Sequence, residues 1–295
     1  PMSQLVSNRL KIMAELDTTE RRLPQDGHLT INWNGTIYDI RVSSLPLFQG
    51  ERFVLRILGQ RDRFLSLDQL GFSEKNLQLV KMMLRIPHGM LLLCGPTGSG
   101  KTTTLYSMLA VLRETGKNIV TLEDPVEYEM EGINQVQINE KTGLTFARGL
   151  RSLLRQDPDI LMVGEIRDLE SAEIAIRLAY TGHLVLASLH TNDAIGAIHR
   201  LVELGVPSHL LASCLNGVIA QRLVRCLQGN QWKGRIAIQE VLFCHAKMRQ
   251  WLTQYDVFLE RQEELRQENT SLWEDGKEKA AAGKTTLEEL MAVLG

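Results

Sequence analysis

Apolar positions along this chain keep two rhythms, and the change falls near residue 72. Before it, Leu5 to Leu16 repeats apolar residues at helical spacing, while Leu29 to Trp33, Thr36 to Val42 and Arg52 to Leu58 read as short strands. Asn34-Gly35 between the first two is a hairpin-turn sequence, since both residues tolerate a positive φ. These elements predict a small α+β unit over 1–58. The stretch Gly59 to Asp68 is polar and without period, and 59–74 reads as a linker. From Phe72 onward strand alternates with helix, with continuous apolar runs at Met90 to Cys94, Ile119 to Leu122, Ile160 to Val163 and Leu184 to Leu189. Strands that are apolar throughout are buried on both faces, so 75–295 is predicted to hold a mostly parallel sheet between layers of helices. One more strand, Gly234 to Val241, precedes helical sequence from about 242, in which Leu259 to Lys279 reads as a solvated helix face.

Composition narrows the class without choosing a function. The chain has 295 residues, 23% of them charged, and a net charge of −2, so any polyanion-binding surface must be a local patch. No apolar run approaches the roughly 18 residues that span a bilayer, and the first residues lack the order of a signal peptide. A cytosolic protein, or one held at a membrane by partners, is expected. The cysteines Cys94, Cys214, Cys226 and Cys244 contain no Cys-x-x-Cys pair, which predicts neither disulfides nor zinc, and Cys94 reads as a small buried apolar residue.

The chemistry starts at Gly95-Pro96-Thr97-Gly98-Ser99-Gly100-Lys101-Thr102, a complete P-loop between the run Met90 to Cys94 and a helical pattern. Backbone N–H groups of such a loop point inward, the helix presents its positive end, Lys101 reaches the β- and γ-phosphates, and the Thr102 hydroxyl holds Mg²⁺. The triplet Gly283-Lys284-Thr285 repeats the last letters, but Glu278 stands five positions earlier and no apolar strand precedes it. It is predicted to open a helix, with a capping box of Thr285 and Glu288 or of Thr286 and Glu289 ahead of Leu287, Leu290 and Leu294.

Hydrolysis needs an acid that orients or deprotonates water. Ile160 to Glu165 is an apolar strand ending in a carboxylate 64 residues after Lys101. Where such a strand usually ends in a metal-binding aspartate this one has Gly164, and neighbouring strand residues face opposite ways, so Glu165 is assigned the base or water-positioning role. A salt bridge to Arg167 is the competing reading. Glu123, Asp124 and Glu127 follow the strand Ile119 to Leu122; Pro125 stops it and places these acids at the carboxyl edge of the sheet, where the metal's outer sphere can use them. His183 and His190 bracket Leu184 to Leu189; either can sense phosphate or orient the acid, and a loop histidine is an equal reading of His183. Arg148, Arg151 and Arg155 share a face of a helix predicted over Phe146 to Arg155. Without an aromatic platform they favour an electrostatic role between subunits or near phosphate over nucleic-acid contact.

These strings resemble the secretion ATPases of the GspE/PilB type, the motors of type II secretion and type IV pilus assembly. The resemblance runs from about Asn8 to Leu294 through ERRLPQDG, DIRVSSLP, the P-loop, LEDPVEY, FARGLRSLLRQDPDILMVGEIRD and TGHLVLASLHTNDA. ERRLPQDG and the terminal TTLEEL look like the extension or secretion branch. The resemblance implies an α/β fold with a RecA-like P-loop core, a truncated small α+β, PAS-like amino-terminal domain and a helical carboxyl segment. It implies a homohexamer, ATP and Mg²⁺, catalysis by Glu165 with Glu123 and His190, and ATP binding by Gly95 to Thr102 with Thr103, Arg41 and Arg56. Mg²⁺ would be held by Thr102 and, through water, by Asp124. The partners implied are an inner-membrane platform protein and a membrane-anchored docking protein at the cytoplasmic face, with no direct nucleic acid. Relative to the family pattern the chain starts inside the small domain, and the four-cysteine module before the final strand is missing between Cys226 and Trp232-Lys233-Gly234-Arg235. A RecA-like nucleic-acid translocase and a nucleotide-gated scaffold with negligible turnover are the rival functions.

Overall fold

The computed structural model describes residues 2–57, 65–229 and 231–295. They form two compact units, Pro1–Arg63 with Glu127–Glu129, and Phe64–Val126 with Met130–Gly295.

The smaller unit has helix α1 (Met2–Met13) and strands β1 (Gln25–Trp33), β2 (Thr36–Leu47) and β3 (Gly50–Ile57), antiparallel in that order. The predicted hairpin turn is present, with Asn34 at φ 51° and Gly35 at φ 81°. Ala14, Leu29, Ile40 and Val42 are its buried core. At about 2 kcal/mol for each larger side chain this is modest, so polar ties matter. Lys11 is fully buried, donates to Glu20 O at 2.7 Å and pairs with the Glu51 carboxylate at 2.5 Å, which fastens α1 to β3. On the other face, His28, Arg41 and Arg56 are register partners across the three strands, and all are exposed.

The larger unit runs α2 (Glu74–Leu84), β4 (Gly89–Cys94), α3 (Lys101–Arg113), β5 (Ile119–Glu123), β6 (Asn134–Gln137), α4 (Phe146–Leu153), β7 (Ile160–Val163), α5 (Leu169–Tyr180), β8 (Leu184–Leu189), α6 (Ala194–Glu203) and α7 (Ser208–Cys214). It continues through β9 (Leu215–Gln228), β10 (Gln231–Phe243), α8 (Ala246–Thr253), α9 (Tyr255–Glu268), α10 (Leu272–Ala281) and α11 (Leu287–Leu294). The sheet order is β10-β9-β4-β8-β7-β5-β6, parallel except for the antiparallel β9/β10 pair. Every residue of β4, β5, β7 and β8 is buried, as the continuous apolar runs required.

Four departures from the sequence reading have physical causes. The predicted linker is only partly one: 58–64 lie outside the described residues, while Leu67 and Leu70 are buried and Leu67–Gln69 forms a short 3-10 turn of the larger unit. The stretch Leu259 to Lys279 is divided between α9 and α10 and buries Leu265, Leu272, Asp275 and Lys279. Asp275 accepts from Gln239 N at 2.7 Å, Lys279 donates to Ala237 O at 2.7 Å, and Asn76 Nδ2 donates to Gln239 O at 3.4 Å. Side chains thus take up backbone groups of β10 that no neighbouring strand meets. Strands β6 and β9 were not predicted at all.

The fourth departure concerns the second Gly-Lys-Thr. Lys284 O accepts from Leu227 N at 2.8 Å and Thr285 Oγ1 donates to Arg225 O at 2.9 Å, so the triplet lines β9 beyond Ala220, where β4 ends. Thr286 caps α11, accepting from Glu289 N at 3.2 Å. The predicted reciprocal box does not close there, because the Glu289 carboxylate instead takes Arg225 N at 2.9 Å and Arg225 Nε at 2.7 Å.

Candidate active site

The P-loop sits where β4 hands the chain to α3, at the carboxyl edge of the parallel strands. Gly95, Gly98 and Gly100 have φ of 151°, 81° and 86°. A Cβ at Gly95 would lie 2.5 Å from Gln221 O, and one at Gly100 would lie 2.8 Å from Gln221 Nε2, so two of these glycines also answer to close packing. Ser99 Oγ is buried without a hydrogen-bond partner among the described residues. The helix α3 begins at Lys101 and directs its positive end to this loop. Lys101 Nζ donates to Gly95 O at 2.7 Å and Pro96 O at 3.2 Å, and burial holds its pKa below the usual lysine value, opposed by the nearby Glu165 charge. Thr102 is exposed and Thr103 half-buried. The glycine cradle, the unpartnered hydroxyl and the helix end together fit a phosphate group.

Glu165 stands beside it. One carboxylate oxygen accepts from Arg167 Nε at 2.9 Å and the other lies 3.2 Å from His190 Nε2. The salt bridge that competed with the base reading is therefore real, and it leaves the second oxygen to His190. Burial lowers the His190 pKa, with the Lys101 ammonium next and Glu165 opposing. At this distance the ring stands against the acid and can orient it. Arg167 also lies 3.9 Å from Asp124, joining the carboxyl ends of β5 and β7. Gly164 is explained by the same convergence: a Cβ there would be 3.1 Å from Leu122 O, and Gly164 N donates to that oxygen at 2.7 Å. Ser188 Oγ holds Gly164 O at 2.5 Å, fixing the strand end that carries Glu165.

Glu123, which the sequence grouped with the catalytic residues, is turned inward. It is 3% exposed and accepts from Tyr106 OH, from Thr121 Oγ1 at 2.6 Å and from Gln135 Nε2 at 3.2 Å. Its neighbour Asp124 is the more accessible acid. His183 belongs to the opposite end of β8, where Nδ1 meets Leu178 O at 2.9 Å below α5, which is the loop-histidine reading. The three arginines around α4 each have a local partner: Arg148 donates to Gly143 O, Arg151 pairs with Glu170, and Arg155 reaches Arg151 O. Burial pushes the thiols of Cys94, Cys214 and Cys244 up to about 12, so none is a nucleophile at neutral pH. What sequence reasoning missed is β9. Its Gln221 donates to Ser99 O at 2.7 Å, and its Arg222 donates to Asn192 O at 2.8 Å. The apolar alternation through Val218, Ala220 and Val224 was the available signal.

A P-loop between a parallel strand and a helix, with β8 inserted between the P-loop strand β4 and the acid-bearing strand β7, gives the sheet order of a RecA-like nucleotide-binding core. The chain belongs to the type II/IV secretion system protein family, whose profile matches residues 1–292. It is 44% identical to type II secretion system protein E of Pseudomonas aeruginosa over an alignment covering 99% of this chain and 66% of that protein. It is 40% identical to type II secretion system ATPase E of Vibrio cholerae, covering 99% of this chain and 65% of that one. The chain thus spans just under two thirds of these relatives' length. Among solved structures, that of the pilus retraction motor PilT with bound ADP superposes with a TM-score of 0.76 at 32% identity, over 90% of this chain and 77% of that one.

Proposed function

We propose that this chain hydrolyses ATP as the motor of a type II secretion or pilus-assembly machine. The observation that carries the reading is Glu165, one of its oxygens held by Arg167 and the other next to a neutral His190, beside a P-loop lysine whose charge it feels. A carboxylate placed so can align and deprotonate a water while His190 steadies it. Gly95, Pro96, Thr97, Gly98, Ser99, Gly100, Lys101, Thr102 and Thr103 would hold the phosphates. Hard oxygen donors suit Mg²⁺, and Thr102, with Asp124 through water, would hold an ion that neutralises phosphate charge. In this assignment Glu123 buttresses the strand end through Tyr106 and Gln135 rather than touching water. Arg41 and Arg56, opposite one another on neighbouring strands, present two positive charges of the kind that takes an anionic phosphate. A homohexamer working through an inner-membrane platform protein, at the cytoplasmic face of the membrane, is the matching assembly.

Steady-state turnover and equilibrium binding of an ATP analogue test the assignment. Glu165→Gln should keep analogue affinity within about threefold and lower kcat by about 10²–10⁴. Near-normal turnover would remove the base from this residue.

A further inference from the structure

Strand β9 continues past the end of β4, and two consecutive residues on it reach opposite sides of the sheet. Gln221 is 2% exposed; its Nε2 donates to Ser99 O at 2.7 Å, and its Oε1 accepts from Thr104 Oγ1 at 2.9 Å. Arg222 is 8% exposed; its Nη2 donates to Asn192 O at 2.8 Å and Asn192 Oδ1 at 3.3 Å, and its Nη1 donates to Gln221 O at 3.0 Å. One side chain holds the P-loop and the next holds the turn that follows His190. That turn is also tied from below, where Cys94 Sγ donates to Asp193 O at 3.2 Å.

A guanidinium is an expensive way to fill space beside a strand, because its desolvation must be offset. Here the planar fork spans two oxygens of Asn192 and the carbonyl of its own neighbour, which a single ammonium or an apolar chain cannot do. We propose that Arg222 is a positioning residue for hydrolysis: it fixes the segment 190–193 and so sets where His190 meets Glu165. This rests on the reading of Glu165 and His190 given above. Because Arg222 grips the histidine side and Gln221 the phosphate side, their losses should fall on different kinetic constants. A strand that only supported the fold would instead lower the active fraction, read as fewer analogue-binding sites and a lower melting temperature, with no loss of kcat per bound site.

The test uses steady-state ATP hydrolysis by the full chain, with ATP-analogue binding and thermal melting alongside. Arg222→Met is expected to lower kcat by about 10–100-fold with KM within about twofold, the scale of loss when a reacting group is misplaced. Gln221→Met is expected to raise KM by about tenfold with kcat within about threefold. His190→Ala combined with Arg222→Met should be no slower than His190→Ala alone within about twofold, since both remove one function. Arg222→Lys keeps the charge but not the fork; it should show a smaller loss confined to kcat, and it decides the question if Arg222→Met melts below the assay temperature. A kcat within twofold of wild type in a folded Arg222 variant overturns the inference, as do multiplicative effects with His190→Ala. Wild-type protein without ATP turnover overturns the reading of the site and this inference with it, whereas wild-type turnover with an unaffected Arg222 variant overturns the inference alone.

Discussion

Gly100-Lys101-Thr102 and Gly283-Lys284-Thr285 share their letters and a left-handed glycine, at φ 86° and 70°. Their surroundings give them opposite work. In the first, the lysine side chain is half-buried over the loop's carbonyls and the triplet opens a thirteen-residue helix toward the site. In the second, the lysine side chain is exposed, and it is its backbone carbonyl, with the buried Thr285 hydroxyl, that binds β9. A motif is its letters plus the strand before it. Without a parallel strand delivering the glycines to a sheet edge, the same residues become packing material.

The largest contrast is expected from the lysines. Lys101→Ala should weaken ATP-analogue binding by about 100-fold or more if, as proposed, its charge meets the phosphates, and isothermal calorimetry would measure it. Gly100→Ala should come next, lowering affinity by about tenfold, because φ is left-handed and the new Cβ would meet Gln221 Nε2 at 2.8 Å. On the carboxyl-terminal triplet the effects should move to stability. Thr285→Val keeps the shape but leaves Arg225 O without its donor, and should cost about 1–2 kcal/mol, read as a fall of a few degrees in Tm with turnover retained. Gly283→Ala should cost about 1 kcal/mol from backbone strain alone, as nothing lies within 4 Å of the added carbon. Lys284→Ala should change neither Tm nor turnover within about 0.5 kcal/mol. Loss of nucleotide binding in Lys284→Ala or Thr285→Val would erase the distinction between the two triplets.

The parallel strands β4, β5, β7 and β8 were legible because each is a short apolar run enclosed on both faces, and the first hairpin because Asn34-Gly35 admits one turn type. Strand β6 was not, since Asn134 to Gln137 is polar and is a strand only through its pairing with β5. Strand β9 hid for a different reason: Gln221, Arg222 and Arg225 interrupt its apolar pattern, and their partners lie on the P-loop, on Asn192 and on Glu289, far away in sequence. At the site, the pattern named Glu165, His190 and the P-loop, but it could not tell which of Glu123 and Asp124 faces outward. That depends on Tyr106 and Gln135 lying across from Glu123, a tertiary fact.

The side chains that Asp275, Lys279 and Asn76 press against β10 also bear on how copies of this molecule can associate. An open sheet ordinarily offers unpaired N–H and C=O groups at its flanks, a template on which another chain's strand can add. At Ala237 and Gln239 those groups are already taken, and the opposite flank, β6, is only four residues long. At these two points of the larger sheet an incoming strand would find the backbone already engaged, so a second copy meeting β10 there would do so through side chains and loops rather than by extending the ladder.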